Sequence, residues 1–335
     1  MTVDRLIDAQ RTEADAPLGA AALRPRRLSE YIGQRAIVER LTIALEAARS
    51  RGEAMEHLLL HGPPGLGKTT LAHVVSTELG RRLHLTSGPA LNKPGDLVGT
   101  LTRMSEGDVL FIDEIHRLPP TVEEYLYPAM EEFKIDFTLD AGMHARVVTY
   151  QLKPFTLIGA TTRAGLLTSP LRSRFGMVHH LEFYEPDDLE TIVRAASARI
   201  GVDDPEPAAI TLLARRSRGT PRVALRLLRR VRDFAQVRST GAVTVDVVDQ
   251  AMKLEGVDER GLDRLDHRYL ETIARVYDGG PVGVEAMAAT MGEDAGTLKD
   301  VVEPYLLRIG LIARTPQGRR LTSLSQSGGA TSELW

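Results

Sequence analysis

The segment from residue 62 to residue 69 reads GPPGLGKT, and it constrains the fold of this chain more than any other feature. It satisfies the phosphate-loop pattern G-x-x-x-x-G-K-[ST]. A short apolar run at residues 57–61 precedes it, and residues 68–79 carry apolar side chains at helical spacing up to Gly80. A turn that merely begins a helix would not require Lys followed by Thr. The segment therefore predicts a strand, a phosphate-binding loop and a helix.

Each residue type in this loop has a physical task. The glycines Gly62, Gly65 and Gly67 let successive main-chain amides converge on phosphate groups at a helix N-terminus. Lys68 would reach the β- and γ-phosphates of a nucleotide, and the Thr69 hydroxyl would ligate Mg²⁺. The loop therefore predicts a nucleotide site.

Two carboxylates, Asp113 and Glu114, follow the apolar run at residues 109–112. The carboxyl end of a buried strand is where open α/β sheets place their ligands. There, Asp113 would hold the Mg²⁺ shell and Glu114 would polarise the attacking water. Alone, the pair would favour a helix cap. Together with the phosphate loop it favours catalysis.

Two further motifs leave alternatives open. Thr161 and Thr162 follow the apolar run at residues 155–158, so a hydroxyl there would contact the γ-phosphate or the water, unless the pair only forms a turn. Arg172 and Arg174 surround a short turn, and guanidinium groups are suited to spreading transition-state charge. Solvation of both arginines on the surface explains the pattern equally well.

Arginines also mark the second half of the chain. Arg222 would lie at the positive end of a helix, which indicates an anionic partner such as a nucleotide phosphate, or a nearby acid. Arg314, Arg319 and Arg320 flank a turn at residues 316–318. This arrangement suits phosphate contacts in a DNA groove, and a solvated hairpin is the alternative.

Composition limits the class of protein. Of the 335 residues, 43% are hydrophobic and 26% are charged, as in a packed globular protein. The absence of cysteine excludes disulfides, thiolate metal sites and cysteine nucleophiles. Because the net charge is −3, any DNA binding must come from local basic patches and not from the overall charge. Because no run spans a bilayer or resembles a signal peptide, we expect a cytoplasmic protein.

The order of elements predicts three domains. In residues 1–184, apolar strands alternate with helices, which is typical of an α/β domain with a mostly parallel sheet, and a β-hairpin is expected within residues 133–152. Residues 185–255 read as a small helical domain. Residues 256–335 read as three helices and a ribbon, which suggests a winged helix followed by a loose tail from residue 323. The predicted helices of these two domains cover residues 187–200, 207–216, 221–237, 269–277, 284–291 and 297–309.

Taken together, the phosphate loop and the motifs LFIDEIH, GATTR, PLRSRFG and GTPR resemble those of the AAA+ ATPases. With YIGQ at residues 31–34, YPAM at 127–130 and GPVG at 280–283, the chain is similar to the bacterial motors of Holliday-junction branch migration within that family. This resemblance implies a AAA+ P-loop ATPase core with a parallel sheet, a small helical lid and a C-terminal winged-helix domain.

The same resemblance implies an activity and partners. We expect a homohexameric ring that uses ATP and Mg²⁺ to move duplex DNA out of Holliday junctions in homologous recombination and DNA repair. The 133–152 hairpin would dock RuvA, and RuvC would join in the resolvasome. Arg314 and Arg319 match the DNA contacts of the head domain. A third basic contact of some relatives is Ala295 here, which leaves the grip of the head on DNA weaker or differently placed.

The resemblance also assigns site residues by position. Arg174 resembles an arginine finger that acts on ATP in the adjacent subunit, Arg222 resembles the second sensor, and Thr161 or Thr162 the first. The remaining nucleotide contacts fall into three groups: Leu23, Arg24 and Tyr184 at the base, Gly65, Lys68, Thr69 and Thr70 at the phosphates and Mg²⁺, and Glu131, Glu132 and Phe133 after the YPAM motif.

The alternative is a protein-remodelling or clamp-loading AAA+ ATPase whose terminal domain binds an adaptor. The same ATPase core would serve that function. Residues 87–100 lack the aromatic-apolar-Gly signature of a peptide-gripping pore loop, which disfavours protein unfolding. Duplex binding that depends on Arg314 and Arg319 would separate the two hypotheses.

Overall fold

The computed structural model describes residues 24–139 and 146–327. These residues form two compact units. The first unit contains Arg24–Gly62 and Leu66–Glu182. The second contains Pro63–Gly65 and residues 183–327. Part of the phosphate loop is therefore grouped with the C-terminal half of the chain.

A five-stranded parallel sheet forms the centre of the first unit, with the strand order β2-β3-β6-β1-β7. Its three inner strands are largely buried, which explains their continuous apolar runs. The predicted α/β class is confirmed. The strands of this unit are β1 (Leu58–His61), β2 (Leu83–Ser87), β3 (Val109–Asp113), β4 (Lys134–Leu139), β5 (Arg146–Gln151), β6 (Thr156–Thr161) and β7 (Met177–His180).

Strands β2 and β7, the two edge strands of the sheet, were not predicted from the sequence. Residues of β2 are half-buried or exposed, and β7 alternates between buried and exposed positions. Edge strands meet the core on fewer sides, so they do not need the continuous apolar run by which an inner strand is recognised.

Helices of the first unit begin and end at residues suited to those positions. The helix predicted after the phosphate loop is present, and Gly80 ends it at φ +64°. Two further helices have proline at their first residue, where its missing N–H costs nothing. No helix in the described part of the chain is long and apolar enough to cross a membrane. These helices are α1 (Arg35–Arg51), α2 (Lys68–Leu79), α3 (Pro94–Leu101), α4 (Pro120–Glu131) and α5 (Ser169–Ser173).

The expected hairpin is formed by β4 and β5, which pair antiparallel with Ile135 opposite Tyr150. Ile135 is buried, whereas Val148 and Tyr150 remain 42% and 44% exposed. Because Tyr150 lies opposite Ile135 and Val148 is two residues from Tyr150, all three side chains share one face of the hairpin, which is buried at Ile135 and partly exposed along β5. Residues 140–145, between the two strands, lie outside the described residues.

The second unit begins with a helical segment that matches the predicted lid. Three of its helices lie within one residue of the expected bounds. The fourth, α9, was not predicted, although the Thr244 hydroxyl caps it by accepting from the Val247 amide at 3.4 Å. The helices are α6 (Pro186–Arg199), α7 (Pro207–Arg216), α8 (Pro221–Arg238) and α9 (Val245–Leu254).

The rest of the second unit has the three-helix and ribbon pattern of a winged helix. Its first helix begins at Arg264, five residues earlier than predicted, because Asp263 and Asp266 form a capping box. The helix predicted over 297–309 is present as an uninterrupted helical run over residues 295–308, in which a π-helical turn at Leu298–Val302 precedes Pro304. The elements are α10 (Arg264–Arg275), α11 (Val284–Met291), α12 (Ala295–Thr297), α13 (Glu303–Arg308), β8 (Ile312–Thr315) and β9 (Gly318–Leu321).

The prediction of a loose tail from residue 323 is wrong for its first five residues. They form a short helix, α14 (Ser323–Ser327). The Ser325 amide and hydroxyl both donate to the Thr322 carbonyl, at 3.2 and 2.6 Å. A serine-rich segment is typical of a linker, but here the Ser325 hydroxyl closes the first turn. Residues 328–335 lie outside the described part of the chain.

A buried arginine joins the lid segment to the winged-helix segment within the second unit. Arg218 has a left-handed backbone with φ +59°, and its side chain is 4% exposed. Its guanidinium pairs with the fully buried Asp266, donates to the Gly261 carbonyl at 2.6 Å and lies over the Tyr305 ring. Because a buried ion pair tolerates little misalignment, it favours one arrangement of the two segments.

Candidate functional site

The phosphate loop has the backbone conformation that its glycines predict. Gly62, Gly65 and Gly67 have φ values of +139°, +78° and +101°, a region that residues with a Cβ rarely adopt. A Cβ on Gly62 would also lie 2.5 Å from the Leu181 carbonyl oxygen. The loop is therefore shaped by main-chain geometry, which suits binding of phosphate by backbone amides.

Lys68 is the first residue of α2 and is only 7% exposed. Its ammonium group donates to the Gly62 carbonyl at 2.8 Å, so the side chain folds back along the loop. Thr69 and Thr70 follow in the first turn of the helix, where unpaired amides and the helix dipole favour anions. The helix start therefore concentrates positive potential where phosphates would bind.

The carboxylates Asp113 and Glu114 lie at the C-terminal end of β3. Glu114 has a left-handed backbone, and its amide donates to the Asp113 carboxylate at 3.0 Å. Burial, followed by the charge of Asp113, raises the pKa of Glu114, while Lys68 and the Thr162 hydroxyl oppose that rise. A carboxylate whose pKa is raised is a better proton acceptor once ionised.

The two threonines at the end of β6 have different surroundings. Thr161 is fully buried, and its hydroxyl lies 2.8 Å from His116 Nδ1. The Thr162 hydroxyl donates to Glu114 at 3.3 Å, and His116 Nδ1 lies 3.2 Å from the same carboxylate oxygen. Thr162 therefore meets the expected catalytic carboxylate directly, whereas Thr161 reaches it through His116.

Residues assigned to the nucleotide base are divided between the two units, and Leu23 lies outside the described residues. In the first unit, Arg24 Nη1 lies 2.8 Å from His73 Nε2. In the second, the buried Tyr184 donates its amide to the Gly219 carbonyl at 2.8 Å. Arg222 donates its amide to the carbonyl of Gly65 at 3.4 Å. Within the second unit, the start of α8 is thus joined to Gly65 by a main-chain hydrogen bond.

Arg174 lies at the C-terminal end of α5, in the first unit. Its guanidinium forms an ion pair with Glu131, with Nε 3.2 Å from Oε1 and Nη2 3.3 Å from Oε2. The neighbouring Glu132 pairs with Lys134, and Phe133 packs edge-on against Phe155. The structure therefore brings Arg174 together with Glu131.

The wing arginines converge on one carboxylate, Glu303, which was not predicted from the sequence. Arg314 and Arg319 both donate to Glu303, which is fully buried. The Tyr269 hydroxyl also donates to Glu303, at 3.1 Å. Burial, followed by the charge of Glu303, raises the pKa of Tyr269. The Arg314 side chain remains 50% exposed and that of Arg319 17%. Of the two, Arg314 presents more cationic surface.

Two residues of these sites went unrecognised for different reasons. His116 follows Glu114 by two residues in the DEIH motif. This short spacing could have indicated that the imidazole contacts the Glu114 carboxylate. Glu303 lies in a Glu-Pro pair at a helix start, which reads as an ordinary solvated acid. Its partners are 11 and 16 residues away, and only the folded ribbon brings them to it.

Three family models match the chain in succession. Residues 23–181 match the Holliday junction DNA helicase RuvB P-loop domain. Residues 184–258 match the RuvB AAA lid domain, and residues 259–327 match the RuvB C-terminal winged-helix domain.

Known proteins agree with these matches. The chain is 55% identical over 311 residues to the Holliday junction branch migration complex subunit RuvB of Desulfosudis oleivorans, covering 93% of this chain and 90% of that protein. The solved Holliday junction branch migration motor RuvB of Thermotoga maritima is 49% identical, with a TM-score of 0.82 over 90% of this chain and 96% of the other. A single-substitution mutant of that protein, also 49% identical, gives 0.84 over 91% and 97%.

Proposed function

This chain belongs to the RuvB family of branch-migration motors, as its motifs predicted, and we propose that it moves duplex DNA by hydrolysing ATP at the contacts between its own subunits. One observation supports this most strongly: a buried lysine, two carboxylates and a threonine hydroxyl lie together at the ends of β3, β6 and the phosphate loop. We keep the domain bounds 1–184, 185–255 and 256–335. The protein-remodelling alternative has no support from the family matches.

The residues present fit ATP with Mg²⁺. The positive φ values of the loop glycines open a main-chain cradle, and Lys68 supplies a buried cation beside it. Thr69 and Asp113 would hold Mg²⁺, which when bound neutralises charge on the β- and γ-phosphates. Arg24 and Tyr184 would contact the base, together with Leu23. Thr70 would add a hydroxyl to the phosphate contacts.

Glu114 is the group that we assign to accept the proton of the attacking water. Its raised pKa and its place beside Asp113 suit that task. Thr162, which donates to Glu114, would report the γ-phosphate to this carboxylate, so we assign it as the first sensor in preference to Thr161. His116 would keep Glu114 oriented from its other side.

We assign Arg174 as a finger that stabilises charge on ATP held by the neighbouring subunit. In this chain Arg174 pairs with the half-exposed Glu131, a contact that a phosphate would replace. Glu131, Glu132 and Phe133 would then line the same subunit boundary. Arg222 would act as the second sensor, since its main chain is bonded to the phosphate loop.

DNA contacts are assigned to Arg314 and Arg319 on the wing. Phosphate-directed contacts carry no sequence information, which suits a motor that must move along any duplex. We further propose a hexameric ring, docking of RuvA on the 133–152 hairpin, RuvC as a later partner, and a cytoplasmic location. The exposed Val148 and Tyr150 on β5 support the hairpin as a docking surface.

A junction assay tests this function. The chain is mixed with a four-way junction, RuvA, ATP and Mg²⁺, and separation into duplex products is followed with time. Lys68→Ala should abolish both ATP hydrolysis and separation, because the variant lacks the cation at the phosphates. A Lys68→Ala protein that still hydrolysed ATP and separated junctions would refute the proposal.

A further inference from the structure

Arg174 rests on an aromatic ring as well as on its carboxylate partner. Its guanidinium carbon lies 4.3 Å from the centroid of the Tyr127 ring. Nη1 donates to the Pro170 carbonyl at 2.7 Å, which ties the side chain to its own short helix. Glu131 completes the surroundings. The ring and the carbonyl thus set the plane of the guanidinium, and the carboxylate meets it at Nε and Nη2.

A buried carboxylate fixes the tyrosine in turn. Glu123 is 7% exposed and accepts hydrogen bonds from the hydroxyls of both Tyr127 and Thr168. Thr168 is the residue that caps α5, where its hydroxyl accepts from the Leu171 amide at 3.3 Å. Glu123 therefore links α4, which carries Tyr127, to the start of α5, which Arg174 directly follows.

The protonation of Tyr127 supports this linkage. Burial, followed by the hydrogen bond to Glu123, raises the pKa of the Tyr127 hydroxyl, which favours the protonated form that donates to Glu123. A tyrosine held at both ends, by a buried acceptor at its hydroxyl and by α4 at its backbone, has little rotational freedom. Its ring is accordingly a fixed platform.

Glu131 cannot serve as that platform. Its side chain is 53% exposed, and an ion pair with such a residue contributes little to orientation. The same contact would also be given up when Arg174 turns to a phosphate. The Tyr127 ring contact makes no use of the donors that a phosphate needs, so it can persist while the finger acts.

We propose that Tyr127 is a positioning residue for Arg174, and that Glu123 and Thr168 hold it so that the finger is presented to the neighbouring subunit in one orientation. This inference rests on the proposed role of Arg174 as a finger in trans. A finger carried on five residues of helix needs such support, because a misplacement of about 1 Å can cost a catalytic group on the order of a hundredfold in rate.

Two substitutions separate the ring from the hydroxyl. Tyr127→Leu removes both, and kcat for ATP should fall on the order of 10- to 100-fold with KM unchanged, since the variant's own nucleotide site is intact. Tyr127→Phe keeps the ring and should lose only a few-fold. Tyr125→Leu is the matched control, because Tyr125 lies on the same helix and packs against the same core cluster as Tyr127, and it should keep the parent rate. If Tyr127→Leu instead raised KM for ATP and left kcat unchanged, the proposal would be overturned.

Mixed rings decide whether the defect lies in the finger. Tyr127→Leu subunits are combined with Lys68→Ala subunits, which lack an active site but carry an intact finger; ATP hydrolysis should rise above that of either variant. A parallel mixture uses Arg174→Ala in place of Tyr127→Leu. Recovery with Arg174→Ala but none with Tyr127→Leu overturns the positioning role alone. No recovery in either mixture overturns the proposed trans-acting finger and the positioning role with it.

Discussion

The arginine at the end of α5 and the arginines of the wing are both paired with glutamate, but the two glutamates differ. Glu131, the partner of Arg174, is 53% exposed, whereas Glu303, the partner of Arg314 and Arg319, is fully buried. An exposed ion pair is worth about 0–1 kcal/mol, while removal of one member of a buried pair costs about 3–5 kcal/mol. The first pair is therefore exchangeable and the second is part of the fold.

This difference fits the two tasks that we assign. A finger must leave its own subunit's carboxylate for a phosphate in each cycle, so its resting contact must be weak. A wing that follows duplex DNA must keep its shape under load, so its arginines are aligned by a carboxylate that water does not reach. The Tyr127 ring adds orientation to the finger without making its ion pair stronger.

The largest expected effect concerns Arg174. Arg174→Ala should lower kcat for ATP about 10³-fold or more, because an arginine finger is worth 10³–10⁵ in rate. Duplex affinity of the full chain should stay within about twofold, since the wing is unaltered. Steady-state hydrolysis and fluorescence anisotropy with labelled duplex measure the two. If Arg174→Ala lost duplex binding but kept ATP hydrolysis, Arg174 would be a DNA contact and not a finger.

The next effect is on stability. Glu303→Gln should lower the free energy of unfolding by about 3 kcal/mol, because two arginines lose a buried counter-charge. Glu131→Gln, the same change at an exposed pair, should cost less than about 1 kcal/mol. Denaturant midpoints of the two full-length variants provide the measurement. Equal shifts for both would show that burial does not distinguish the pairs.

A smaller effect separates the two wing arginines. Arg314→Ala should weaken duplex binding similarly for all sequences and reduce the slope of log affinity against log salt by about 1, as expected for one lost phosphate contact. Arg319→Ala should lower the denaturant midpoint more than Arg314→Ala, since its side chain is 17% exposed against 50%. An unchanged salt slope in Arg314→Ala would remove it from the DNA contacts.

The smallest effect is a pH dependence confined to hydrolysis. The pKa of Glu114 is raised above its ordinary 4.5, so as the pH falls this carboxylate takes up a proton, and stops acting as a base, at a higher pH than an ordinary glutamate. Thr162→Val should move the acid limb of kcat further up in pH, because the Thr162 hydroxyl opposes the rise. Duplex affinity depends on arginines, so it should not fall over the same acidic pH range as kcat. A fall of duplex affinity over that range would contradict this assignment.

Sequence was most informative where function depends on neighbours along the chain. The phosphate loop and the Asp113-Glu114 pair are local patterns. The structure has the predicted strand and helix around the loop, and the predicted strand before the carboxylate pair. The contact of Tyr127 with Arg174 and the convergence on Glu303 depend on side chains that only tertiary packing brings together. No spacing rule predicts them.

Secondary structure shows the same limit. The inner strands were predicted because burial on both faces requires apolar runs, and the edge strand Leu83–Ser87 was not, because it is only partly buried. The helix predicted over 297–309 is present, but its apolar spacing did not reveal the π-helical turn within it. Hydrogen-bond register within a helix leaves little trace in such spacing.

Hydrolysis in a mixture of Arg174→Ala and Lys68→Ala subunits tests the central claim most directly. Each variant alone should be nearly inactive, because one lacks the finger and the other lacks the lysine at the phosphates. In a ring with head-to-tail contacts, random mixing of equal amounts should restore about a quarter of the parent rate, since that share of contacts joins an intact site to an intact finger. A mixture no more active than its components would show that Arg174 does not act across the subunit boundary.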